Sequence, residues 1–262
     1  MSGETGYFIP YRYAAATMPC GYPAIAPIFD AAGDNFHRML ECIDSHAADF
    51  ARFGGEPPAP RFEQDWFPRL DACAAYAMIR QRRPGLIVEV GCGHSTRIMA
   101  RATEDSGAAT RHICIDPAPR ARLQGLAVEH VPATVDRLDH GQLDTIAAAD
   151  LLFIDSSHIA VAGSDVDRLV NGILPRLRPG AAIHFHDIFL PEAYPEAWAW
   201  RGYNEQSLVA ALLSGGGYTV EFASAFVIRR MARALASTCV ANLPLMAGAV
   251  ESSLWLRKRQ PR

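Results

Sequence analysis

From Gly85 onward the chain alternates between short apolar runs and longer stretches of helical period, and several of the runs end on an acid. LIVEV (86–90) opens into GCGHS and the helical stretch STRIMARATED. HICID (112–116) and the weaker AVEHV (127–131) follow. DLLFID (150–155) precedes a helix expected over about 161–177, with Val166, Leu169, Val170, Ile173 and Leu174 on its apolar side. RPG (178–180) turns into AAIHFHD (181–187), and NEQSLVAALLSG (204–215) has the period of a helix closed by glycines. Strands alternating with helices in this way require a mostly parallel sheet covered on both faces. YTVEFAS (218–224) and SLWLRK (253–258) have no crossover helix between sheet positions, so they suit a terminal antiparallel hairpin, with a partly helical insert at 225–252. The expected architecture is therefore α/β: a Rossmann-like, doubly wound, mostly parallel seven-stranded sheet with that hairpin at its end.

A helical N-terminal extension precedes the sheet. Residues 1–33 are rich in Pro, Gly, Ala and Tyr without period, and predict an irregular arm carrying Tyr7, Phe8, Tyr11, Tyr13 and Tyr22. Such an arm would cover the acceptor side of a site, or a second copy of the chain in a homodimer. Phe36, Met39, Leu40, Ile43, Ala47 and Phe50 then form one apolar stripe, with Asp34 placed to cap it. GGEPPAP (54–60) breaks the pattern, and a second helix is expected over about 68–82. These boundaries divide the chain into an extension, 1–64, and a cofactor-binding domain, 65–262.

The composition, 50% apolar and 20% charged over 262 residues, excludes a disordered or fibrous chain. A net charge of −3 offers no global basic field for nucleic acid. No apolar run approaches the roughly 20 residues that span a bilayer, and the N-terminus has no signal-peptide pattern. Cys20, Cys42, Cys73, Cys92, Cys114 and Cys239 form no CxxC and no zinc-finger spacing, as expected of reduced thiols in a cytoplasmic protein.

Ligands of an open α/β sheet bind at the carboxyl ends of its strands. At the first end, Gly91 and Gly93 permit a tight turn, and the helix from about Ser95 offers free N–H groups to an anion such as a carboxylate. Thr96 stands where a dinucleotide fingerprint has its third glycine, so a smaller ligand is better served. Asp116 ends the second strand and can accept both hydroxyls of a ribose. Asp155-Ser156-Ser157-His158 ends the fourth, and His184-Phe185-His186-Asp187 the fifth. Together these two ends supply carboxylates and imidazoles suited to a divalent metal. His184, deeper in its strand, is expected in the core.

IVEVGCGHSTRIMA, HICIDP, DLLFIDSSHIAVAGSDVDRL and LPRLRPGAAIHFHDIFLPEAYPEAW, in that order, resemble the class I S-adenosylmethionine-dependent methyltransferases, in the branch called methyltransferase type 24. The resemblance covers about residues 65–258. It implies that Glu89, Gly91 and Gly93 form the cofactor turn, that Ser95 sits near the methionine carboxylate, and that Asp116 holds the ribose. The adenine contact is implied to come from residues 133–138. By likeness to metal-dependent O-methyltransferases, Asp155 and Asp187 would ligate a divalent metal and His158 would be the general base. His186 stands where that pattern has Glu, which favours Mn, Fe or Zn over Mg. Tyr194 and Trp198, in a stiff aromatic segment after the fifth strand, are candidate acceptor contacts. The expected activity is methylation of a small molecule, most simply at oxygen, with neither nucleic acid nor membrane as partner. Two other readings stay open: a metal-dependent oxygenase or hydrolase on the same fold, and a non-catalytic protein that binds the cofactor.

Overall fold

A computed structural model describes Arg12 and residues 18–260. The expected role of Tyr7, Phe8, Tyr11 and Tyr13 lies outside the described residues. Seven strands form one sheet: β1 (Leu86–Val90), β2 (Arg111–Ile115), β3 (Glu129–Val131), β4 (Leu151–Ile154), β5 (Ala182–Phe185), β6 (Tyr218–Ala223) and β7 (Leu254–Lys258). Their order is β3-β2-β1-β4-β5-β7-β6, parallel except for β7, which is antiparallel to both its neighbours. The terminal hairpin is thus present, with its last strand lying inside the sheet. Strand order reverses between β1 and β4, and such switch points leave a crevice at the carboxyl edge.

The helices are α1 (Ala26–Asp30), α2 (Gly33–Asp44), α3 (Ala47–Phe50), α4 (Arg69–Arg82), α5 (His94–Ser106), α6 (His140–Ala147), α7 (Asp165–Asp167), α8 (Glu205–Ser214), α9 (Ser224–Arg230) and α10 (Ala232–Ala236). Among the described residues, no helix is long and apolar enough to cross a membrane. Several local expectations are corrected. The stripe over 36–50 is two helices, because the chain turns at Ser45 and His46, and Asp34 lies in the first turn of α2 rather than capping it. The helix expected from 161 starts at Asp165, where the Ser164 hydroxyl accepts from Asp167 N, and it runs on as a π-helical segment, Arg168–Ile173. Helix α6 went unread, although Asp139 and Gln142 close a capping box at its start.

The irregular arm is also shorter than expected. Residues 23–30 are helical, and Ile25 and Phe29 are buried, Phe29 stacked on Phe226 with ring centres 5.8 Å apart. Tyr22 N donates to Pro191 O at 2.7 Å, which fastens the arm's end to the segment after β5. Helix α4 is apolar almost all round, and its residues 70–79 are buried. It packs on α5, while α2 crosses α4 and β6. The extension and the sheet therefore share one continuous core.

Phe36 shows how that core is closed. It is fully buried, with Phe222 of β6 and Phe226 of α9 at centroid distances of 6.0 and 5.5 Å. Phe36→Ala removes this wedge and is expected to cost about 3–5 kcal/mol. Urea denaturation measures it, and a loss below about 1 kcal/mol would show that α2 is an accessory rather than part of the core.

Candidate active site at the carboxyl edge

A cavity of about 740 Å³ opens over the switch point, lined from the ends of β1, β2, β4 and β5. Its first wall is the turn after β1. Gly91 has φ of 84°, and a Cβ there would stand 1.7 Å from Asp155 O. The glycine is thus demanded by the approach of the β4 end as well as by the backbone. Gly93 is extended, at φ 169°, and starts α5, where Gly93 N donates to Thr96 Oγ1 at 2.9 Å. Thr96 therefore closes the turn from within.

Asp116 leaves β2 toward the cavity. Its Oδ2 accepts from Cys92 N and its Oδ1 from Ala118 N, both at 2.7 Å. Each carboxylate oxygen keeps a second lone pair for a ligand hydroxyl. Ala133, Thr134, Val135 and Asp136 line the next stretch of wall. Glu89 and Ser95 lie underneath, both buried, and Ser95 Oγ donates to Glu89 Oε1. Neither lines the cavity; together they brace its turn.

The far wall gathers the other predicted residues. His158 Nε2 lies 3.3 Å from Asp155 Oδ1 and 3.5 Å from Asp187 Oδ2. His186 Nδ1 lies 3.5 Å from Asp155 Oδ1 and 3.5 Å from Asp187 Oδ1. Two residues unread as site members fasten the imidazoles from behind. Glu205, expected only as a first-turn acid of α8, is buried and pairs with His158 Nδ1 at 2.9 Å. Asp71 of α4 faces His186 Nε2 at 3.3 Å and accepts from Ser252 N and Ser253 N at 2.9 and 3.0 Å. A lone acid within the apolar run of α4 was the available signal for Asp71. His158 and Asp187 adopt left-handed backbone, φ 59° and 56°. Such strain in non-glycine residues gathers at functional sites. His184 is a core residue as expected, stacked on Phe153 at 3.8 Å with Nε2 on Ser253 Oγ at 2.8 Å.

These contacts set the charges. Burial alone would push His158 down, but its hydrogen bonds to Asp155 and Glu205 and the Asp187 charge carry it well above the usual imidazole range. His186 is likewise depressed by burial yet raised overall by the Asp155 and Asp187 charges. Burial would raise Asp155, but the charge of His186 and the hydrogen bonds of both imidazoles hold it below the usual carboxylate range. Burial lifts Glu205, only partly offset by His158.

The residues therefore form a ring in which two imidazoles bridge two carboxylates. An ion held by Asp155, His186 and Asp187 needs their donor atoms to converge, and the ring does not bring them so close. Among the described residues, the one trio of ligand atoms all within 4.8 Å of each other is Glu89, His112 and Cys114. As arranged, the expected metal donors are paired with one another and with His158.

Trp198 lines the cavity mouth, joined by Arg201 and Tyr203, which sequence reasoning missed. The Arg201 guanidinium lies 4.4 Å over the Trp198 ring, and Tyr203 is 4.6 Å from His158. Tyr194 sits behind this layer, its hydroxyl accepting from Gln206 N at 3.2 Å.

A sheet of this order, with a glycine turn after β1 and an acid closing β2, defines a Rossmann-like, doubly wound α/β domain. Residues 88–188 match the family model described as a methyltransferase domain, type 24. No curated protein sequence matches the chain. Among solved structures, the S-adenosylhomocysteine-bound methyltransferase PaMTH1 of Podospora anserina is 18% identical, with 97% of this chain and 100% of that chain covered at a TM-score of 0.48. The O-methyltransferase TomG of Streptomyces achromogenes, involved in tomaymycin synthesis, is 16% identical, with 85% and 90% covered at 0.45. An O-methyltransferase from Bacillus cereus is 13% identical, with 85% and 91% covered at 0.43.

Asp116 brings two carboxylate oxygens to the cavity wall, and the resemblance implies that they hold the cofactor ribose. On that expectation, Asp116→Ala removes an acceptor for two ribose hydroxyls. Each such charge-assisted hydrogen bond is worth about 1.5–3 kcal/mol, so affinity is expected to fall well over tenfold. Calorimetry with S-adenosylhomocysteine measures it, and unchanged binding by a folded variant would reject the assignment.

Proposed function

We propose that the protein methylates a hydroxyl oxygen of a small molecule, with His158 as general base. The observation that carries this reading is the His158 ring itself. Its Nδ1 is held by buried Glu205, its Nε2 lies beside Asp155 and Asp187, and the residue lines the cavity that also contains the Asp116 carboxylate. Glu205 accepting from Nδ1–H leaves Nε2 as the proton-accepting atom of the neutral ring. S-adenosylmethionine supplies the electrophile when bound, a methyl group on a sulfonium sulfur.

His158 Nε2 takes the acceptor's hydroxyl proton as the oxygen bonds to the methyl carbon. The carbon–sulfur bond breaks with its electron pair left on sulfur. Asp116 and the Gly91–Gly93 turn position the cofactor, while Trp198, Arg201 and Tyr203 border the space left for the acceptor. Asp155 and Asp187 stabilise the imidazolium once it forms. A cationic cofactor, when bound beside this ring, would oppose a second positive charge there.

Assay with S-adenosylmethionine and a panel of alcohols, phenols and hydroxy acids, read by mass spectrometry, tests the reading. His158→Ala is expected to lower turnover by about 100- to 10,000-fold while S-adenosylhomocysteine binding survives. Tight cofactor binding with no methylated product from any acceptor would favour a binding protein instead. A stoichiometric metal that is lost in Asp187→Asn would restore an ion to this wall.

The raised pKa fixes the sign of the pH profile. His158 is charged at low pH and becomes a base only as pH climbs through its elevated pKa, so kcat/KM is expected to rise from acid toward alkaline pH. Glu205→Gln withdraws a charge that favours the imidazolium, and it is expected to move the limb to lower pH as well as reduce turnover. A limb that stays in place would show that Glu205 has no hold on the base.

A further inference from the structure

One buried cluster below the glycine turn has no part in the chemistry above. Glu89 of β1 is the register partner of Cys114 on β2, and His112 stands two residues earlier on the same face of β2. All three are buried. Cys114 Sγ lies 3.5 Å from Glu89 Oε2, and His112 Nε2 lies 3.4 Å from the same oxygen. Glu89 Oε1 is taken by Ser95, so Oε2 alone faces this group. Cys92, in the turn itself, packs against Cys114. Both ring nitrogens of His112 are buried without a hydrogen-bond partner. Leaving such groups unpaired in the interior is costly.

We infer that Glu89, His112 and Cys114 form a binding site for a thiophilic divalent cation of the zinc type. Bonds of about 2.3 Å to sulfur and about 2.0–2.1 Å to oxygen and nitrogen, at the tetrahedral angle, set S and O about 3.5 Å apart and N and O about 3.4 Å apart. The two separations observed here have those values. A thiolate, imidazole and carboxylate set selects zinc over magnesium or calcium, which take oxygen ligands. An ion on His112 Nε2 gives one of the two orphaned nitrogens a partner. Binding displaces the Cys114 thiol proton to solvent.

The site would act on the cofactor turn. Cys92 packs against Cys114 and carries the backbone N–H that holds Asp116 Oδ2, so an ion on the Cys114 sulfur stiffens β2 directly behind that turn. The spacing of Glu89, His112 and Cys114 along the chain matches no zinc motif, because sheet register rather than a loop assembles the donors.

The test is elemental analysis of untagged, reduced protein from zinc-supplemented cells, with cobalt substitution as a second readout. One zinc per chain is expected, lost in Cys114→Ser and in His112→Ala and kept in Asp187→Asn and Cys73→Ser. Cobalt-loaded native protein is expected to show a thiolate-to-cobalt charge-transfer band. Zinc that survives both Cys114→Ser and His112→Ala, or that disappears in Asp187→Asn, overturns the site. Failure of the native reduced protein to take up zinc, or bound cobalt without the thiolate band, also overturns it and leaves a buried Glu89–His112 ion pair only. These cobalt outcomes need no variant to fold.

Discussion

A line of alternating charge crosses the protein beneath its cavity. It runs from Asp71 on α4 to His186, through Asp155 and Asp187 at the ends of β4 and β5, to His158 and then Glu205 on α8. Asp71 and Glu205 are almost fully buried, and each meets an imidazole there. Each imidazole has carboxylates on two sides of it, and each carboxylate faces an imidazole. Removing one member would leave an unpaired charge next to the cavity. The same line holds His158 and Asp187 in their left-handed conformations, whose cost is set against several ion pairs.

The scaffold brings this line to the right edge. Parallel register fixes the ends of β1, β4 and β5 at one level, so Gly91, Asp155 and His186 come together without any loop having to reach. Gly91 lets the turn sit against the Asp155 carbonyl, and Thr96 closes it into α5. On the acceptor side, Gln206 accepts from Phe189 N and donates to Glu192 O, which holds the segment after β5 against α8. The helix carrying Glu205 thus also shapes the mouth of the cavity.

What could be read in advance follows from the range of each signal. The strands, the glycine turn and Asp116 are written in local pattern and were legible. Asp155, His158, His186 and Asp187 were legible as a group because parallel strand ends share an edge. Their arrangement as ion pairs was not, since it depends on side-chain direction. Asp71 and Glu205 reach the site from α4 and α8, and nothing in the spacing of distant helices tells which face meets the sheet. The arm was read as irregular through residue 33 because Ile25 and Phe29 are too few to show a period, yet both are core. The start of the helix at Asp165 was obscured because Val161 extends its apolar spacing without being part of it.

Strand β7 follows β5 and β6 in the chain yet lies between them in the sheet. While the chain is being synthesised, β5 is therefore an apolar edge with unpaired backbone groups until residues 254–258 leave the ribosome, the kind of edge that invites wrong pairing. Asp71 must wait equally long for the amides of Ser252 and Ser253, and His186 has no settled neighbour until Asp71 is fixed. A chain cut just before Ser252 would keep every residue of the cavity wall and still lack the amides that order Asp71. Assembly of the charged line is thus tied to the emergence of residues 252–258.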